Sequence, residues 1–267
     1  MRTIQFLTIL RREMSSQFLR WRGAWIYPLA LGPLFVISMH ALHDRSPCRL
    51  DEESAILAGI FQYFYLRVAI FFACAAVFSR LFRGEMADRT LHYSLLAPLR
   101  RELLVAAKFA GGLVAMLAVF GVAVAACFYV MFGHFPDGRA FLAEGAAMAQ
   151  FGNYLGVTAL AVLGYGTIFL LVGLVFKNPI LPTLLVLALE SWSGILPATL
   201  QHLTVTYYLK PLVPVEAPVE GISAIFTVVV DPPAPWLSVV GLVLLAAAGL
   251  VYASRRVRRL EIEYTTD

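Results

Sequence analysis

Charge is what this sequence has least of: Asp, Glu, Lys and Arg together make up 14% of its 267 residues. Hydrophobic residues make up 60%, and the mean hydropathy is +0.77. A soluble domain of this size cannot cover so much apolar surface with so few charges, so a soluble globular fold is excluded. Cysteine is scarce as well, and Cys48, Cys74 and Cys127 form no disulfide framework. Cys74 and Cys127 fall in apolar runs, where a thiol behaves as a small apolar group, while Cys48 falls in a polar loop. There is no G-x-x-x-x-G-K-[ST] phosphate loop, no H-E-x-x-H and no G-x-S-x-G. The five histidines, His40, His43, His92, His134 and His202, are scattered over loops and the ends of apolar runs. Each reads as a wet interfacial side chain, and no metal site is expected. The stretch Met1 to Trp21 has arginines among its apolar residues and no uninterrupted apolar core before a small-residue cleavage site, so it does not read as a removable signal peptide.

What the sequence does have is long apolar runs, each near the roughly 20 residues a helix needs to cross a bilayer. They lie at 24–42, 55–79, 109–131, 151–176, 180–200 and 236–254. The sequence therefore predicts an all-α polytopic membrane protein, one transmembrane unit with six spans. Pro28 and Pro33 interrupt the first run, which a membrane helix tolerates where neighbours satisfy the freed carbonyls. Gly221 to Val230 is apolar but too short to cross, and reads as a re-entrant or interfacial piece within an outer loop over 202–235, stiffened by Tyr207, Tyr208, Pro211 and Pro214. With six spans, sixteen of the 21 Lys and Arg residues fall on the side of the termini and four on the other, with Arg67 inside a span. By the positive-inside rule this puts both termini in the cytoplasm, of a bacterial inner membrane. The net charge of +4 is then a topological signal, and no nucleic-acid partner is implied.

Two segments on the termini side stand out. In residues 1–22, Ile4, Leu7, Leu10, Met14, Phe18 and Trp21 recur at helical spacing, with Arg2, Arg12, Glu13, Ser16 and Arg20 opposite and Arg11 within the apolar stripe. This predicts an amphipathic interfacial helix held against membrane lipids, or a plain anchor. The second is the connection 80–108, much longer than a turn, which mixes charges with an apolar stripe. A short helix starting near Ala87 or Asp88 and stopping near Pro98 would carry Leu91, Leu95 and Leu96 as an apolar ridge. Such a ridge suits a groove on a cytosolic partner or the bilayer surface equally.

Glu85, Thr90, Leu91, Leu95, Leu96, Pro98, Arg101 and Lys108 together form E-x4-T-L-x3-L-L-x-P-x2-R-x6-K. This resembles the pattern between the second and third spans of type-2 ABC exporter permeases, whose six-span layout the whole chain also resembles. Arg89 departs from it, standing before Thr90 where many members have Gly, which alters the turn before the helix. The resemblance implies that 80–108 is the coupling region, which transmits movement of a separate ATP-binding cassette subunit into the spans. It further implies a homodimer, or a heterodimer with a related permease, with ATP and Mg2+ on the partner subunit and no cofactor on this chain. The cargo it suggests is amphipathic or lipid-like.

Two charges fall deep inside spans, Arg67 about 18 Å from either end of the second and Glu190 about 16 Å into the fifth, at 1.5 Å per residue. Charges at that depth seek partners, so the two are expected to meet or to line the translocation path. A break of span five at Ser191 to Gly194 would instead put Glu190 nearer the outer surface. The same pair leaves open an ion-coupled secondary carrier, and a membrane-embedded enzyme or a non-transporting scaffold are further alternatives.

Overall fold

The computed structural model describes residues 6–11, 13–14, 24–43, 48–88, 100–193, 196–217 and 233–259, and these are helices and the turns between them. The first helix, α1 (Ile26–His43), keeps Pro33 in its interior. The second apolar run forms one continuous rod: α2 (Leu50–Gly59), a π-helical stretch (Ile60–Ala69) and α3 (Ile70–Ala87). After the coupling region come α4 (Arg101–Gly133), a short α5 (Pro136–Leu142) and α6 (Gly145–Val175). The chain then runs through α7 (Ile180–Ser191), α8 (Ala198–Gln201), α9 (Val205–Leu209) and a 3-10 turn (Lys210–Leu212) to α10 (Pro235–Arg258).

Five of these are long and apolar enough to cross a membrane: α1, the Leu50–Met86 rod, α4, α6 and α10. The rod and α4 are longer than the runs that predicted them. With 33 residues α4 extends about 50 Å, well beyond a hydrocarbon layer of about 30 Å. Its first turns therefore stand outside any bilayer its apolar part occupies. The run 180–200 differs most from expectation, because its helix stops at Ser191 and has 12 residues, a rise of about 18 Å. A turn at Trp192 follows, and α9 folds back against α6 and α10, with Val205 touching Gly164 and Leu209 buried. The start of the stretch expected as an outer loop is thus packed into the bundle. Gly221 to Val230 lies outside the described residues.

The core sits where the second rod, α4 and α6 meet. Phe78 wedges between Gly112 of α4 and Gly166 of α6, and Phe71 meets the Tyr165 and Phe169 rings edge-on at 5.4 and 5.1 Å. In lipid, helices associate by close packing of this kind, since the apolar effect offers them little. Small residues permit it: a Cβ at Gly173 would collide with the Ser79 carbonyl, and one at Gly249 of α10 with the Thr167 side chain. Cys74 and Cys127 are buried in this core as expected of apolar thiols, Cys127 against the Tyr65 hydroxyl at 3.3 Å.

Candidate functional site

The two ends of the 80–108 connection are joined. Lys108, one turn or more inside α4, is 3% exposed and donates to Glu85 on α3 at 2.7 Å and to the Leu81 carbonyl at 3.2 Å. Its ammonium also lies 3.4 Å from the Glu13 carboxylate and over the Phe82 ring at 5.5 Å. A lysine that deep needs opposite charge and hydrogen bonds for each of its protons, and here two carboxylates and a carbonyl supply them. Glu13 belongs to the N-terminal segment, whose helical residues 6–11 lead up to it. The predicted polar face of that segment included Glu13; the structure turns it inward onto Lys108 instead, with its Cβ closing on Gly111. The absence of a side chain at Gly111 lets the segment approach α4 this closely.

Arg101 reaches in another direction. Its guanidinium donates to the carbonyls of Val257 and Arg258 at 3.0 and 2.7 Å, satisfying two groups left open at the end of α10. An ion pair between Arg258 and Glu102 reinforces the contact. On the other flank Arg83 donates to the Lys177 carbonyl at 2.5 Å, tying α3 to the turn between α6 and α7. Of the motif residues, then, Glu85 and Lys108 meet, and Arg101 bonds to the last span. Thr90, Leu91, Leu95, Leu96 and Pro98 lie outside the described residues. The helix expected to start near Ala87 or Asp88 does not start there: Ala87 ends α3 and Asp88 is its C-cap.

Arg67 and Glu190 do not meet within the chain. Among the described residues no ion pair joins them. Arg67 is half-buried on the π-helical stretch, over the Tyr63 ring at 5.4 Å. Glu190 is 4% exposed and accepts four hydrogen bonds: from the amides of Val205 and Thr206 at 2.6 and 3.1 Å, the Thr206 hydroxyl at 2.6 Å and the Tyr165 hydroxyl at 3.1 Å. The carboxylate therefore closes the exposed start of α9. Non-helical backbone at membrane depth must have its amides satisfied by protein, and Glu190 does this where α7 breaks. The break at Ser191 was one of the readings of the sequence; the partners Tyr165 and Thr206 had no signal in it, being set by how α9 folds back.

An all-helical chain with several membrane-crossing helices and a long, tied connection between the second and third is the architecture of a membrane transport subunit. The model of the family described as ABC-2 family transporter protein matches residues 20–190, and the chain belongs to that family. It is thus an integral membrane protein and an ABC transporter permease, of a family whose members generally work with an ATP-binding subunit. No curated protein matches the chain.

Proposed function

We propose that this chain is one permease half of an ATP-driven ABC exporter, crossing the membrane six times with both termini and residues 80–108 in the cytoplasm of a bacterial cell. Two copies, or this chain and a related permease, assemble with two ATP-binding subunits that carry the ATP and Mg2+. The observation that carries the reading is the joint at Lys108. A force applied between residues 88 and 100 reaches α3 through Glu85, α4 through Lys108, the N-terminal segment through Glu13 and α10 through Arg101. Such a loop is built to pass on movement, because its base cannot flex independently of the spans. In this reading Leu91, Leu95 and Leu96 form the ridge that the ATP-binding subunit grips, with Thr90 and Pro98 at its two ends.

The sixth crossing is the broken segment from Ile180 to Leu212, in which α7 supplies about 18 Å and the short helices the rest. Arg67, half-exposed midway along the second span beside Tyr63, faces the seam between the two permease halves and borders the path. Left to lipid, a cation at that depth costs at least about 3 kcal/mol, so a second permease half or a wet path is its natural surrounding. Apolar spans with few polar side chains suit an amphipathic or lipid-like cargo. An ion-coupled carrier has less support, since Glu190 is occupied in holding α9.

The test replaces Leu91, Leu95 and Leu96 together with Ser in the full chain. Complex formation with the ATP-binding subunit and ATP-driven transport are expected to vanish while the permease still inserts. Undiminished co-purification of the ATP-binding subunit would overturn the coupling assignment.

A further inference from the structure

At the end of the bundle away from the Lys108 joint, three helices bring together side chains that are far apart in the sequence. His40 lies in the last turn of α1, Glu53 in the first turn of α2, and His134 is the C-cap of α4. One ligand atom from each of the three lies within 4.8 Å of the other two. The His40 Nε2 stands 3.2 Å from both oxygens of Glu53, whose side chain is 4% exposed. The His40 and His134 rings meet edge to face at 5.9 Å between centroids, and the Phe135 ring packs on His134 at 4.9 Å. Cys48 places its Sγ 3.5 Å from the His134 Nε2. The other ring nitrogen of His134, Nδ1, is buried and has no hydrogen-bond partner.

A bland account makes these two local staples, one from His40 to Glu53 and one from Cys48 to His134. It leaves two things unexplained. A buried carboxylate presents both oxygens to a single imidazole nitrogen, and a buried imidazole nitrogen goes without any partner, at a cost of about 1–3 kcal/mol. A bound cation accounts for both. Two imidazoles and one carboxylate form a three-ligand zinc set with an open fourth position. In a tetrahedral site with bonds near 2.0–2.2 Å, neighbouring ligand atoms stand about 3.3–3.6 Å apart. The 3.2 Å edge between His40 and Glu53 already has nearly that length, and the rest of the cluster needs to close by about an ångström. Calcium and magnesium take oxygen ligands and do not suit two imidazoles.

We infer that His40, Glu53 and His134 bind one divalent transition-metal ion of the zinc class, which pins the ends of the first three spans to one another. Cys48 stands beside the site, bonded to an imidazole of it. The experiment uses the full-length protein without a polyhistidine tag, stripped with EDTA in detergent and titrated with Co2+. One Co2+ per chain is expected, with visible d–d bands that one equivalent of Zn2+ abolishes. Glu53→Gln and His134→Gln are each expected to weaken binding by at least about tenfold, since even an outer-shell change does as much. His202→Gln is expected to leave it unchanged. A thiolate charge-transfer band that disappears in Cys48→Ser would overturn the three-ligand set. A second readout needs no variant: Zn2+ must raise the melting temperature of the unaltered chain, and EDTA must reverse the rise. Absence of that rise, or affinity undiminished in both ligand variants, overturns the site. Since metal is measured directly, the result is independent of whether the permease couples to ATP.

Discussion

Lys108 shows what a single charge can organise when water is kept from it. Its ammonium has two carboxylates, a carbonyl and an aromatic face around it, contributed by the N-terminal segment, α3 and α4 itself. Removing one member of such a group leaves the others buried and uncompensated. Lys108→Met is therefore expected to destabilise the chain by about 3–5 kcal/mol, read as a fall in melting temperature in detergent. Combining it with Glu13→Gln and Glu85→Gln is expected to recover most of that loss, because the like charges go with it. A loss no larger than that from Lys210→Met, at an exposed position, would show that the joint carries no stability. The spacing of the motif already paired Glu85 with Lys108 in one pattern, but nothing in the sequence linked Glu13 to them. On a helix of alternating character a carboxylate reads as facing water, and only the close approach at Gly111 turns it inward.

Helices with uniform apolar composition were legible from the sequence because the bilayer demands length and hydropathy of each independently. The boundaries were less so, since α3 and α4 continue past the apolar region as charged, water-exposed turns that hydropathy ends too early. The break after α7 is of another kind. A run of apolar residues from 180 to 200 gives no reason to stop at Ser191, whereas the tertiary fold stops it to let α9 pack against α6 and α10. Glu190 is how that element is held. Glu190→Leu strips the acceptor from two amides and two hydroxyls, and a cost of about 2–5 kcal/mol is expected, measured as loss of folded yield and melting temperature. Arg67→Leu is expected to act separately, since the two have no common partner, so the double variant should lose the sum within about 0.5 kcal/mol. Recovery in the double variant would mean that the two side chains do meet, across two copies of the chain. The π-helical stretch that carries Arg67 had no signal in the sequence either; its register follows from the packing of Tyr65, which donates to the Ala30 carbonyl at 2.7 Å.

For the whole molecule, the sixteen-to-four division of Lys and Arg makes a sharp expectation about sides. In a variant lacking the three native cysteines, Thr266→Cys should react with an impermeant maleimide only after the membrane is opened, and Arg139→Cys should react in intact cells. The reverse pattern at either position would refute an even number of crossings with the termini inside. The two clusters of buried charge stand at opposite ends of α4, a rod of 33 residues. From Lys108 to Gly133 it is about 37 Å long, so a 5° swing about the Lys108 joint carries the far tip through about 3 Å. That is lever mechanics: a small rotation where the loop is gripped becomes a displacement comparable to a hydrogen bond at the other end. His134 sits at that tip. An ion fastening it to α1 and α2 would make the tip the fulcrum, and the stroke would then be delivered at the loop end of the rod.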